Sequence, residues 1–264
     1  MVNNLLLEVG MNALKGLSEV DKLFYNLKKN SETSKIISKL EYKLEDVFGC
    51  KFVIEIAKSD LWNDNCGVIP TFKKTGKIVK AEDFVKLGNI KQLNIILGDK
   101  LIRMLSPREL TALFLHEIGH VVNHIGEFVS IIQKSAYLSK MILLAINLFI
   151  GSLYLLPLTL VITRTLFWTL HIGEYNADKF AVEYGYGTEF ISLMHKFEKN
   201  IKVESESTIV QFLVKIYHYI FGNTHPSNKD RIRKIANIIK DEYSDKYKLN
   251  KKTKKLLDQY EIES

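Results

Sequence analysis

One stretch of the chain decides how its second half folds. Residues 106–120 read SPRELTALFLHEIGH. Ser106 is a preferred N-cap residue, Pro107 suits the first helical position, and Glu109 completes a capping box with the serine. The sequence therefore predicts that a helix begins here and that it carries two histidines four residues apart.

These histidines, His116 and His120, share one helix face, so both imidazoles can reach a single Zn²⁺ ion at about 2.0–2.1 Å. Glu117 follows the first of them and is placed to take a proton from water at the metal, which lowers the pKa of that water from 15.7 to about 7. The alternative is a chance pattern of polar residues. The apolar character of the rest of this helix argues against it, because three polar groups there would be costly without a shared partner.

A third ligand has to come from another part of the chain, and Glu174 is the best candidate. Glu174 and Asp178 are four residues apart and so lie on one face of another predicted helix. One carboxylate can bind the metal while the other accepts the second N–H of a ligand histidine. The alternative is a pair of solvated acids, since helix surfaces carry many.

Together these residues resemble the zinc metallopeptidase family of HtpX and the CAAX prenyl protease, a gluzincin family. The family pairs HExxH with a later ExxxD, which are HEIGH at 116–120 and EYNAD at 174–178 here. Its His-Pro stretch with a following Arg-Ile is similar to residues 224–232, and its strand before HExxH is similar to residues 94–97. The first sixty residues and the last thirty match no pattern of the family.

The resemblance implies a zinc-dependent endopeptidase that acts on peptide or protein substrates. It implies one Zn²⁺ ion bound by His116, His120 and Glu174, with Glu117 as the catalytic general base. A second candidate catalytic residue, His225, either stabilises the developing oxyanion or holds its loop.

The resemblance also implies supporting residues around the metal. Asp178 orients a ligand histidine, and Arg231 pairs with Asp178 or with another buried acid. The substrate is expected to add as a β-strand along the strand before HExxH. The residues expected to bind it are Asn94, Ile95 and Ile96.

The expected fold is α+β and mainly α, a gluzincin-type zinc peptidase domain with a small N-terminal sheet. Apolar residues recur at helical spacing over residues 7–27 and 31–48, where Gly49 ends the second helix. Alternating or short apolar runs predict strands at 50–57, 67–72, 77–80 and 92–97. We divide the chain into an N-terminal helical region (1–49), a metallopeptidase domain (50–240) and a basic C-terminal tail (241–264).

A hydrophobic segment separates the two ligand motifs. Residues 141–163 contain no charged residue, and Pro157 offers a turn that makes residues 141–172 a helical hairpin. A single membrane crossing would put the two motifs on opposite sides of the bilayer, so the number of crossings must be even. Each arm of about 16 residues spans about 24 Å, short of a hydrocarbon core of about 30 Å.

The expected location is therefore a membrane, reached through residues 141–172, with the catalytic face in the cytoplasm. Six lysines and no acid at 246–255 fit the positive-inside rule, and the N-terminus lacks the features of a signal peptide. The alternatives are a hairpin buried in a soluble cytoplasmic peptidase and a non-catalytic, zinc-stabilised membrane or assembly protein. Nucleic acid is not an expected partner, because a net charge of +7 is modest and no nucleic-acid module is recognised.

Overall fold

The computed structural model of the chain describes residues 2–29, 33–58, 65–72, 90–122, 171–201 and 225–243. Helices dominate these residues, together with one small sheet, so the predicted mainly helical α+β class is confirmed at this level. The helices are α1 (Val2–Lys29), α2 (Thr33–Phe48), α3 (Asp99–Met104), α4 (Pro107–Val122), α5 (171–183), α6 (Gly187–Ile201) and α7 (Asn228–Glu242).

The sheet contains three strands among the described residues, β1 (Lys51–Ala57), β2 (Cys66–Phe72) and β3 (Ile90–Gly98). Three of the predicted strands are thereby confirmed, and the fourth, at 77–80, lies outside the described residues. The strand order is β1–β3–β2, with β1 parallel and β2 antiparallel to β3.

This order corrects the expected route of substrate binding. Asn94 pairs with Val53 on one side and with Ile69 on the other, and Ile95 and Ile96 are paired on both sides in the same way. All backbone positions of the expected substrate strand are therefore occupied by neighbouring strands. An added strand needs a free edge, so these three residues do not offer one.

The N-terminal helices belong to the same hydrophobic core as the sheet and α4. Leu17, Val20 and Phe24 of α1 are buried, and the Phe24 ring meets Phe114 of α4 edge to face with centroids 5.0 Å apart. Gly49 has a φ of 72°, a left-handed conformation that glycine adopts without strain, and it ends α2 as predicted. The region before the sheet thus supports the helix that carries the HExxH sequence.

The start of α4 has the capping box that the sequence predicts. The backbone N–H of Glu109 donates to Ser106 Oγ at 3.3 Å, and the N–H of Ser106 donates to Glu109 Oε2 at 2.7 Å. Glu109 also accepts hydrogen bonds from Ser192 and Lys196 of α6, at 2.8 and 2.5 Å. The cap therefore fixes the first turn of α4 and ties it to α6.

The predicted hydrophobic hairpin falls almost wholly outside the described part of the chain. Residues 141–170 are not described, and neither are residues 244–264 of the basic tail. Among the helices that are described, none combines the length and the apolar character needed to cross a bilayer.

Candidate metal centre and active site

Three side chains from two helices meet at one point. His116 and His120 project from α4, and their Nε2 atoms are 3.0 Å apart. Glu174 projects from α5, with Oε2 3.6 Å from His116 Nε2 and Oε1 3.4 Å from His120 Nε2. One ligand atom from each residue lies within 4.8 Å of the others, so the three could hold a metal ion.

The donor set of this cluster fits zinc. Two imidazole nitrogens and one carboxylate oxygen are ligands that Zn²⁺ accepts, and three protein ligands leave a fourth position for water or substrate. Burial, followed by the charge of neighbouring His116, lowers the pKa of His120 to about 3, so its ring is neutral at pH 7. A neutral imidazole offers the lone pair that a metal needs.

A close helix contact brings the ligands together. A Cβ atom built on Gly119 of α4 would lie 2.9 Å from Ala177 Cα and 3.0 Å from Ala177 O, both backbone atoms of α5. Even alanine would therefore force the two helices apart. Gly119 directly precedes His120, so this contact sets how closely the histidines approach Glu174.

Asp178, one turn after Glu174, is placed to orient a ligand. Its Oδ1 is 2.9 Å from His116 Nδ1, and its side chain is 2% exposed. Burial by itself raises the pKa of this carboxyl, but the Arg231 guanidinium outweighs burial and holds the pKa below its usual value. The carboxylate can thus accept a hydrogen bond from the Nδ1–H of His116, which leaves His116 Nε2 free to bind a metal.

Arg231 of α7 neutralises this acidic group of side chains. Its Nε and Nη2 donate to Asp178 Oδ2 and Oδ1 at 2.9 and 2.5 Å, a two-point contact, and its Nη1 is 3.3 Å from Glu174 Oε2. The sequence left open which acid Arg231 pairs with; in the structure it contacts both. One buried cation therefore balances two carboxylates of α5.

His225 precedes α7 and reaches the same cluster from the outside. Its Nδ1 is 2.9 Å from Glu174 Oε1, although 68% of its side chain is exposed. The contact raises the pKa of His225. For Glu174, burial raises the pKa, but the hydrogen bond from His225 and the charges of His116 and Arg231 bring it below its usual value, so the group is a carboxylate.

Glu117 lies beside the cluster and outside it. Burial, partly offset by the charge of His116, raises its pKa to about 7. The strand β2 packs against α4, and the thiol of Cys66 on β2 has a pKa raised by burial and then by the charge of Glu117. A carboxyl with a pKa near neutrality can both accept and return a proton.

Sequence reasoning missed Phe190 of α6, which packs behind the cluster. Its ring centroid is 5.2 Å from that of His116, and the guanidinium carbon of Arg231 lies 5.4 Å from the ring centroid. Phe190 has no exposed surface. In the sequence it is one apolar residue among several at helical spacing, and only the packing distinguishes it.

Comparison with known proteins gives one finding. A family model described as Peptidase family M48 matches residues 82–239, more than half of the chain and the part that contains α4, α5 and most of α7. No curated protein and no solved structure matches the chain.

Proposed function

Since the chain belongs to peptidase family M48, we propose that it is a zinc-dependent endopeptidase whose Zn²⁺ ion is held by His116, His120 and Glu174. The observation that carries the proposal is the convergence of these donors within 4.8 Å, from two separate helices. Structural zinc sites use four protein ligands, whereas three ligands with an open position are typical of catalysis.

Held by His116, His120 and Glu174, a zinc ion would supply a Lewis acid for the scissile carbonyl and would make water acidic enough to react at neutral pH. Glu117 then accepts a proton from the attacking water and donates it to the leaving amine. Asp178 accepts a hydrogen bond from the Nδ1–H of His116 and so keeps the Nε2 of His116 directed at the metal position. Arg231 keeps Asp178 and Glu174 ionised in a buried site.

His225 contributes in one of two ways. It is exposed enough to meet a substrate and close enough to Glu174 to lie at the mouth of the site, which suits donation to the developing oxyanion. Its hydrogen bond to Glu174 also suits a role in holding the loop before α7. Both roles agree with a peptide or protein substrate.

The first prediction concerns metal content. We expect the purified 264-residue chain to contain one zinc per molecule, and we expect His116→Ala to lose it. Loss of a group that only supports a ligand weakens metal binding by about 10–100-fold, and loss of a ligand itself should exceed this. Atomic absorption after zinc-replete purification measures the content.

The matched control is His195→Ala, which removes a histidine that is not part of the cluster. It should leave the zinc content unchanged. Wild-type protein without stoichiometric zinc, or His116→Ala with full zinc content, would contradict the proposal.

We also propose that residues 141–172 attach the enzyme to a membrane, with the catalytic face in the cytoplasm. The support is the uncharged run at 141–163 and the requirement that both ligand motifs lie on one side. The second prediction is that detergent, and not high salt, extracts the chain from membranes. Release by salt alone would favour the soluble alternative.

A further inference from the structure

A half-buried carboxylate of α1 connects two helices near the metal centre. Asp21 is 14% exposed at its side chain. Its Oδ1 accepts a hydrogen bond from Thr111 Oγ1 of α4 at 2.6 Å, and its Oδ2 accepts one from Tyr186 Oη, just before α6, at 3.0 Å. Thr111 and Tyr186 are both buried. A carboxylate with two buried donors is satisfied only while both helices keep their places.

Two further charges complete the cluster. Arg108, in the first turn of α4, has Nη1 3.8 Å from Asp21 Oδ2, and its Nε donates to Glu189 Oε1 at 2.7 Å. Its guanidinium also lies 4.9 Å from the centroid of the Tyr186 ring. We call the set of five residues the Asp21 clamp: it consists of Asp21, Arg108, Thr111, Tyr186 and Glu189.

The Asp21 clamp is connected to His116 through both helices that it joins, α4 and α6. On α4, Thr111 is five residues before His116. On the other side, the carbonyl oxygen of Tyr186 accepts the N–H of Phe190 at 2.9 Å in the first turn of α6. The Phe190 ring packs against the His116 ring at 5.2 Å. A shift of α6 relative to α4 would therefore move the wall behind a metal ligand.

We propose that Asp21 is a positioning residue for the metal centre, which acts through Thr111 and Tyr186 to hold α4 and α6 at the separation that directs His116 towards His120 and Glu174. The proposal rests on the proposed function, because it concerns the geometry of the zinc site. Asp21 lies before the residues that match the family model, so this support comes from a part of the chain that the family match does not include.

The test is Asp21→Asn in the 264-residue chain. Asparagine keeps the size of the side chain but removes its charge and leaves one acceptor oxygen for two hydroxyl donors. Either Tyr186 Oη then loses its acceptor, or the Thr111 hydroxyl turns to the Pro107 carbonyl oxygen, 3.2 Å away. We expect about tenfold weaker Zn²⁺ binding in competition with a fluorescent chelator, at the lower end of the effect of losing a ligand's support. The visible absorption of the Co²⁺-loaded variant should also change, because it reports ligand geometry.

Two controls separate positioning from general stability. Asp46→Asn makes the same change at an acid that pairs with Lys43 on the surface, and it should alter neither measurement. Leu40→Ala removes core packing in α2, a helix that carries no residue of the clamp, so it should lower the melting temperature and leave Zn²⁺ affinity and the Co²⁺ spectrum unchanged well below that temperature.

The outcomes distinguish this proposal from the proposed function. If wild type binds Zn²⁺ through His116 but Asp21→Asn binds it equally well, Asp21 is not a positioning residue. The same conclusion follows if Leu40→Ala weakens Zn²⁺ binding as much as Asp21→Asn does. If wild type binds no Zn²⁺, both proposals fail. If Asp21→Asn does not fold, Tyr186→Phe removes a single hydroxyl donor and carries the same test, with a smaller expected loss of affinity.

Discussion

Glu117→Gln is expected to lower kcat by about 10²–10⁴-fold, the usual contribution of a general acid–base group, while the zinc content stays at the wild-type value. The amide has nearly the shape of the carboxyl but cannot take a proton from water. Glu117 is not among the three residues that could hold the metal, so its replacement removes a proton acceptor and leaves the ligands in place. Cleavage of an unfolded protein substrate at saturating concentration measures the effect.

The control for this prediction is Glu45→Gln, the same change at an exposed glutamate of α2, which should keep wild-type activity. The result also decides between the peptidase and a non-catalytic, zinc-stabilised protein. Proteolysis that is unchanged in Glu117→Gln would show that the measured cleavage does not come from this site. A variant that loses zinc together with activity would assign Glu117 a role in holding the metal instead.

Much of this site could be predicted because its parts are local. The capping box of Ser106 and Glu109 marks the start of α4, and helical spacing then puts His116 and His120 on one face. The spacing of Glu174 and Asp178 does the same on α5. Each of these inferences depends on residues within one or two turns of helix, where periodicity is reliable.

What the sequence does not contain is the pairing of distant elements. Alternation shows that Ile95 faces the core, but it does not show that β3 is the central strand, and the expected substrate edge failed for this reason. Gly119 stands inside the HExxH sequence, and only the approach of Ala177 reveals why a side chain would not fit. Asp21 is a single acid on an amphipathic helix, a pattern that ordinarily indicates a solvated residue.

The second large effect is expected on stability. Arg231→Met should lower the free energy of unfolding of the metal-free protein by about 3–5 kcal/mol, the usual cost of removing one partner of a buried ion pair. Arg231 is 6% exposed, and its removal leaves the carboxylates of Asp178 and Glu174 buried without their cation. Zn²⁺ should restore part of the loss, because at the proposed site it would bring a cation to Glu174 and would bind only the folded state. Urea unfolding with and without Zn²⁺ measures both quantities.

A double-mutant cycle identifies the cause of this loss. Asp178→Asn in the Arg231→Met background removes one of the stranded charges, so the double variant should be more stable than the sum of the two single losses predicts. Lys240→Met removes an exposed cation from the same helix and should change stability by no more than about 0.5 kcal/mol. If Arg231→Met does not fold, Arg231→Lys keeps the charge but loses the two-point contact, and it should show a smaller loss. Strict additivity of the two substitutions would mean that Arg231 does not stabilise the protein through Asp178, and would contradict the ion pair as the cause of the loss.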